Sequence, residues 1–495
     1  MSKKFFITTP IYYSNAIPHI GNAYASFLAD IIARYKRLEW DDVKFSTGVD
    51  ENSQKVVESA LVQGMEVMQY ADMMAEKHRE IWDSLSIGYT DFIRTTSKGH
   101  TDFVQKILQE TYDRGDIYEW VYEGLYCVGC ESFKKETDLI EKDGKKVCPD
   151  HPNKTLEHLK EKNYFFRLSK YQDWLLDFYE KHPDFIVPSS RYNEVREFVK
   201  WGLEDFSISR ETNTFGIPLP FDPTQVTYVW YDALLNYVSV CGDEQDKWWP
   251  ADLHVIGKDI AKFHAIYWPA MLHAVWYEPP TRLLTTGFFT VDGQKMSKSI
   301  GNVINPVEYI DTYSRDMLIL YLFTAFPIGE DGNFDQKEAI LQYNAKLSNN
   351  LWNLLNRVLT LSLKLWGRLS GYEESLIAGK RDDYQSKYTW HMETYDLKSA
   401  LDESFAFATE LNQYIDMVKP WKLDIESESE RESLDQCLST VAVGLAYLAY
   451  NLSPFFEEKM KELLSRIGVK QGWEVRDGFQ IQEKWEPLYM RLDLQ

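Results

Sequence analysis

Two short runs far apart on the chain hold residues able to act on a triphosphate. In Pro18-His19-Ile20-Gly21-Asn22 an imidazole and a side-chain-free glycine stand where a strand should turn into a helix. A helix start presents unpaired N–H groups and partial positive charge, and so draws phosphate. Gly21 lets a nucleotide approach the backbone, and His19 can donate a hydrogen bond to a phosphate oxygen where charge develops. In Lys295-Met296-Ser297-Lys298-Ser299 two ammonium groups lie between Gly293 and Gly301. Glycine at both ends describes a loop able to close. Lys295 and Lys298 can stabilise charge on an attacked phosphate and on departing pyrophosphate. A capping histidine or a solvated lysine pair explains either run alone. The two together point to displacement at phosphate.

Other runs add a pocket, a metal knuckle and an RNA-facing set. Gly257-Lys258-Asp259 follows the strand-like Leu253–Ile256, so Gly257 permits close approach and Asp259 can accept from ribose hydroxyls. His264 falls about one helical turn further on. Trp230, Leu234 and Tyr237 share a face at helical spacing and, with Tyr13, can line an apolar pocket suited to a thioether. Core packing is the plainer account of such a stripe. Cys127-Val-Gly-Cys130 and Cys148-Pro-Asp-His151 form two knuckles with 17 residues between the inner cysteines, a zinc-ribbon spacing. Three thiolates and one imidazole close a tetrahedral site, which makes the zinc structural. Asp150 and His158 stand near as other candidates for the fourth ligand. Cys241 reads as a core thiol. Asn353 and Arg357, four apart, and Trp421 after Pro420 are types that read base edges and stack on unpaired RNA.

Positioning these residues calls for an α/β layer. Phe5–Thr9 reads as a buried strand ending at Pro10, and Ala23, Phe27, Ile31 and Tyr35 as an amphipathic helix. Val43–Val49 reads as the next strand, with helical sequence from about Gln54. Strand and helix alternating imply a parallel sheet with ligands at its carboxyl ends. The pattern breaks near Trp120 and returns with Val226–Trp230, Leu253–Ile256 and Leu283–Phe289, so the stretch between reads as an insertion. Beyond Asp335 the periodicity is helical and describes a bundle. The acidic run Glu426–Glu432 reads as a solvated loop between helices. The expected organisation is a Rossmann-type half at 1–116, a zinc-bearing insertion at 117–215, the second half at 216–291, a loop and stem-contact region at 292–345, and a helical bundle at 346–495.

At 495 residues the chain is too long for one ordinary core. A net charge of −22 argues against indiscriminate nucleic-acid binding, though a local basic face can still hold RNA. Five unevenly spread cysteines do not form a secreted disulfide framework. No apolar run reaches the ~18 residues of a membrane span. A cytoplasmic protein without membrane partners is expected.

In this order the runs resemble the methionyl-tRNA synthetases of class I, whose paired HIGH and KMSKS signatures match His19–Asn22 and Lys295–Ser299. Pro10–Asn15, Gly202–Arg210, Tyr228–Tyr237 and Gly257–His264 carry the likeness further, from Ile7 to about Trp421. The resemblance implies that Ile11, Tyr13, Asp50, Trp230, Leu234, Tyr237 and His264 hold methionine, with Asp50 pairing its amino group. It implies that His19, Gly21, Asn22, Gly257, Asp259, Lys295 and Lys298 hold ATP, and that Mg²⁺ accompanies it. His19, Asn22, Lys295 and Lys298 are then the catalytic set. Asn353, Arg357 and Trp421 read the anticodon of methionine tRNA, initiator and elongator alike. Three departures stand out. Asn22 replaces the second histidine of HIGH, keeping a donor without positive charge. Gly48-Val-Asp50-Glu-Asn52-Ser53 stands where the family has Gly-Thr-Asp-Glu-His-Gly. Leu234 replaces a proline of some members.

The implied reaction is a ligation in two steps, through methionyl-adenylate and then the terminal ribose of tRNA. With little chain beyond the bundle, the OB-fold dimerisation module of some relatives is expected to be lacking and a monomer is expected. Two rivals remain open at this point. A cysteine-specific class I enzyme would need an open zinc position to hold substrate thiol. A non-catalytic RNA-binding relative is motivated by Asn22, Asn52 and Ser53.

Overall fold

The computed structural model describes residues 3–39, 42–127, 132–134, 136–142, 144–149, 152, 154–211, 215–291, 293–296, 302–372, 378–469, 479–481 and 486–494. The chain divides into two compact units, residues 1–18 with 40–286 and residues 19–39 with 287–495.

The first unit is built on six parallel strands. They are β1 (Lys4–Tyr13), β2 (Asp42–Asp50), β3 (Asp91–Arg94), β4 (Ile186–Val187), β5 (Leu253–Gly257) and β6 (Leu283–Thr286), in spatial order β3-β2-β1-β5-β6-β4. The order reverses beside β1, so the loops after β1, β2 and β5 open on the crevice where such sheets bind ligands. One expectation is corrected here, because β1 runs through Pro10 rather than stopping there. Its ladder with β2 shifts register between Thr8 and Ile11, and β5 pairs with it only at Ile7 and Thr8. A proline fits at such an irregularity because no ladder N–H is demanded of it. A second correction concerns Val226–Trp230. Val226–Thr227 pairs with Ser209–Arg210 in a separate antiparallel ladder, and Trp230 already lies in the Val229–Ser239 helix. Leu283–Phe289 likewise splits, with Phe289 starting a strand of the second unit. Strand β4, only two residues long, comes from within the segment read as an insertion.

That segment also carries the long antiparallel pair Ile117–Cys127 and Leu156–Phe166. Phe6, Val104, Leu108, Phe166, Tyr231, Trp268 and Leu283 meet in one core. Each such fully buried large side chain contributes about 1.5–3 kcal/mol of transfer free energy.

The second unit begins with the Ile20–Leu38 helix. The spacing predicts an amphipathic helix, yet every residue from Ala23 to Ala33 is buried. Tyr24 packs edge-on to Phe289 at 4.7 Å and stacks on Phe323 at 5.2 Å. Asp30, wholly buried, accepts from Arg34 at 2.8 Å and Arg315 at 3.1 Å. A buried carboxylate persists only with such partners, since removing them leaves an uncompensated charge.

Strands Gln294–Lys295, Phe289–Val291 and Gly332–Phe334 form a small sheet, and helices follow. The Leu347, Leu351, Leu354 and Val358 face spans a π-helical stretch, Asn344–Trp352, continuing as α-helix Asn353–Ser362. Helix Leu397–Val418 lies alongside and runs the same way. Lys346 reaches Asp402 (2.6 Å), Asn350 the Phe405 carbonyl (3.0 Å), Arg357 Asp416 (3.0 Å), and Lys364 the Trp421 carbonyl (3.3 Å). Both helices therefore end together. The acidic run is not simply a loop, because helix Glu428–Leu452 begins inside it. Carboxylates in a first turn are favourable to the helix dipole. No helix among the described residues is long and apolar enough to cross a membrane.

Candidate active site

In the first unit a cleft of about 330 Å³ is lined by Pro10, Ile11, Tyr13, Asp50, Trp230, Ala233, Leu234, Asn236, Tyr237, Ile260 and His264. All seven residues expected around methionine stand on it. Strand β1 delivers Ile11 and Tyr13, the end of β2 delivers Asp50, and one helix face delivers Trp230, Leu234 and Tyr237. Ala233 belongs to that face at the same i, i+3, i+4 spacing and was missed, although the periodicity contains it. Pro10, Asn236 and Ile260 lie within the runs Pro10–Asn15, Tyr228–Tyr237 and Gly257–His264, but nothing in their side chains marks them as pocket lining.

Trp230 lies flat on Phe263, centroids 3.9 Å apart, which presents a rigid indole wall. His264 sits in a π-helical turn, Phe263–Tyr267, where its Nδ1 lies 3.0 Å from the Ile260 carbonyl. A carbonyl only accepts, so Nδ1 carries the proton and Nε2 accepts from the Tyr237 hydroxyl at 2.6 Å. Burial pushes the His264 pKa down to about 4, so this ring is neutral near pH 7. Burial also raises the Tyr237 pKa. With its proton committed to His264, the Tyr237 oxygen faces any donor as an acceptor. Beneath it, buried His254 accepts from the Trp268 indole (3.3 Å) and donates to Thr8 (2.8 Å).

The loop after β2, where this chain departs from the family pattern, is pinned on three sides. Glu51, wholly buried, accepts from Arg94 (2.9 Å) and from the Thr96 hydroxyl (2.5 Å). Asn52 donates to the Thr95 carbonyl (3.2 Å) and to the Asp232 carboxyl (2.8 Å). Burial raises the Asp232 pKa well above the carboxylate range. Asn52 and Asp232 thus tie the Asp50 loop to the helix bearing Trp230, a role that no motif announced.

At the start of helix Ile20–Leu38, His19 Nδ1 accepts from the Gly21 N–H (3.0 Å) and the Asn22 side chain accepts from the His19 N–H (3.1 Å). This reciprocal capping box fixes the imidazole, with Nε2 as its remaining donor. A Cβ on Gly21 would lie 2.8 Å from His19 Cε1 and 3.4 Å from Met296 Cε. The histidine run and the lysine run therefore meet in the second unit, and Ile20 N–H also binds the Ile304 carbonyl at 3.1 Å. Lys295 pairs with Thr290 in the small sheet, while Lys298 lies outside the described residues. In the first unit a Cβ on Gly257 would lie 2.5 Å from Asp259 Oδ1, so glycine leaves room for that carboxylate.

Cys127 and Cys148 are wholly buried. Cys130, Asp150 and His151 lie outside the described residues, and His158 pairs with Leu125 across the long ladder. Cys241 is a core thiol, its pKa pushed up to about 12 by burial. In the bundle, Asn353 donates to the Asn349 carbonyl, Arg357 pairs with Asp416, and Trp421 is 44% exposed in a 3₁₀ turn after the helix end.

Residues 5–359 match the family model described as tRNA synthetases class I (M). The chain belongs to the methionyl-tRNA synthetases of class I. Among relatives in this family, the methionine–tRNA ligase of Thermotoga maritima is 40% identical, covering 99% of this chain and 80% of that protein. The methionine–tRNA ligase of Synechocystis is also 40% identical, with 94% of this chain and 89% of that protein covered. Methionyl-tRNA synthetase of Mycobacterium tuberculosis, solved in complex with methionyl-adenylate, superimposes with a TM-score of 0.93 at 32% identity, over 99% of this chain and all of that one.

Proposed function

We propose how this chain's residues divide the work of its reaction, the ATP-dependent ligation of methionine to methionine tRNA through methionyl-adenylate. The observation that carries the reading is the cleft that collects Ile11, Tyr13, Asp50, Trp230, Leu234, Tyr237 and His264. Methionine's ammonium group pairs with the Asp50 carboxylate and donates to the Tyr237 oxygen, whose own proton is held by His264. The thioether lies among Ile11, Leu234 and the indole of Trp230, where sulfur–aromatic contact adds ~0.3–1.5 kcal/mol.

The methionine carboxylate attacks the α-phosphate of ATP, and pyrophosphate leaves. His19 donates from Nε2 to phosphate oxygen, and Lys295 and Lys298 neutralise the leaving pyrophosphate. Asn22 holds the cap that aims His19, which is a positioning task that an amide performs as well as an imidazole. Asp259 accepts from ribose hydroxyls. Mg²⁺ accompanies ATP, as in aminoacyl-tRNA synthetases generally. The terminal ribose hydroxyl of tRNA then takes the methionyl group, with Asn353, Arg357 and Trp421 facing the anticodon.

Methionine-dependent exchange of labelled pyrophosphate into ATP tests the first step, and exchange with cysteine instead would overturn the assignment of the pocket. Gly257→Ala isolates the ribose contact. The new methyl must displace the Asp259 carboxylate, so the KM for ATP should rise by about tenfold or more while the KM for methionine holds. An unchanged ATP KM would remove Asp259 from the site.

Cys127, Cys130, Cys148 and His151 are proposed to hold one structural zinc, which organises the insertion and takes no part in the chemistry. The ligand spacing supports this reading, and Cys127 and Cys148 are both shielded from solvent, as thiolates in a closed site can be. Metal analysis should return one zinc per chain, lost in Cys148→Ser. Retention of zinc by His151→Ala but not by His158→Ala would move the fourth ligand to His158.

A further inference from the structure

We propose that Trp366 is a second stacking platform for unpaired bases of the tRNA anticodon loop, beside Trp421, at one end of the helical bundle. This rests on the reading that the bundle faces the anticodon. It adds a residue that no motif contains.

Trp366 is 77% exposed, more than Trp421 itself. It stands one residue past the 3₁₀ turn Leu363–Leu365 that continues helix Asn353–Ser362. Its φ is +53°, the left-handed region that a bulky aromatic rarely adopts. The turn is locked by Trp366 N–H to the Leu363 carbonyl (3.1 Å) and Gly367 N–H to the Ser362 carbonyl (3.0 Å). The two bonds close the helix end by satisfying its last carbonyls, a task glycine performs with less strain. The cap does not require an indole, and this one stands exposed rather than packed on the bundle.

The partner's chemistry follows from the neighbours. Helices Asn353–Ser362 and Leu397–Val418 run parallel and end together, so Trp366 and Trp421 lie just past two adjacent C-termini. Lys364, two residues before Trp366, holds the Trp421 carbonyl at 3.3 Å. Exposed Lys419 and Lys422 flank Trp421 and exposed Arg368 follows Trp366, while Asp424 and Glu426 follow Trp421 and Asp435 accepts from Ser370 (2.9 Å), so the charges here are mixed. Asp416 is engaged by Arg357 at 3.0 Å. Cations near helix C-termini also complement the helix dipoles, but dipole complementarity calls for no exposed indoles. Exposed aromatic rings are the platforms on which unpaired bases stack, and lysines or arginines beside them can take the adjoining phosphates.

The test uses the full chain and a fluorescein-labelled RNA hairpin with the anticodon stem and loop of methionine tRNA, read by anisotropy, with a blunt RNA duplex as control. Trp366→Ala should weaken hairpin binding about tenfold, within the range for one stacked base, and Trp366→Phe should largely restore it. Pyrophosphate exchange should be unchanged in both. Trp366→Gly should weaken the hairpin equally while raising Tm, because glycine relieves the left-handed backbone. Wild-type hairpin binding by Trp366→Ala would overturn the proposal. So would an equal loss on the blunt duplex, or a Trp366→Gly variant that loses stability. If Trp421→Ala binds normally while Trp366→Ala does not, Trp421 leaves the anticodon set and this inference stands.

Discussion

Replacing His19 with alanine should slow methionine-dependent pyrophosphate exchange by about 10²–10³-fold in kcat, the usual loss when one donor to developing oxyanion charge is removed. The structure supplies the reason. His19 Nδ1 is occupied by the Gly21 N–H and Asn22 closes the reciprocal bond, so the ring cannot swing and its Nε2–H donates in one direction. The competing explanation is a capping residue with no other task. Losing a cap costs about 0.5–2 kcal/mol of stability and leaves the rate alone. His19→Asn separates the two, because asparagine is a good cap but lacks the reach of imidazole. It should recover the melting temperature of the wild type and keep the rate defect. Gly21→Ala, which presses a methyl against the ring, should lower kcat with His19 still present. Exchange at the wild-type rate in His19→Ala would reduce this residue to a cap.

Asp50→Asn should raise the KM for methionine by about 10²- to 10³-fold, since truncating one partner of a desolvated charge pair costs about 2–5 kcal/mol. Asp50 is 5% exposed, so solvent cannot replace the lost charge. Tyr237→Phe removes a neutral acceptor and should cost only about 0.5–1.5 kcal/mol. The ranking is the check. If Tyr237→Phe proves the worse variant by kinetics with saturating ATP, the ammonium group is not anchored at Asp50. His264 is neutral with a pKa near 4, so its own titration should leave methionine binding flat from about pH 5 upward.

Much of this was legible from side-chain types at short spacing. The glycine and histidine of His19–Asn22, the helical face of Trp230, Leu234 and Tyr237, and the strand before Gly257 are local patterns. Local patterns survive without knowledge of what packs on them. The misreadings share a cause too. Proline's missing donor marks Pro10 as a strand end in the sequence, yet a register shift between Thr8 and Ile11 relieves that lack. Val226–Thr227 had the composition of a core strand, but its partner is Ser209–Arg210 and not the parallel sheet. Strand β4 is too short to have any periodicity.

The sequence by itself determined the family, the strand–helix alternation that makes the first sheet parallel, and the chemical kinds present at the site, because each rests on residues within a few positions of each other. Tertiary structure alone decided what each group can do. Asn52 meets Asp232 across 180 positions, and Tyr237 meets His264 across 27. Those contacts set which atom donates and which accepts, while burial pushes the Asp232 carboxyl up against the opposing pull of Asn52. Proton location depends on burial and on partners in space, and neither is encoded in the spacing of residues along the chain.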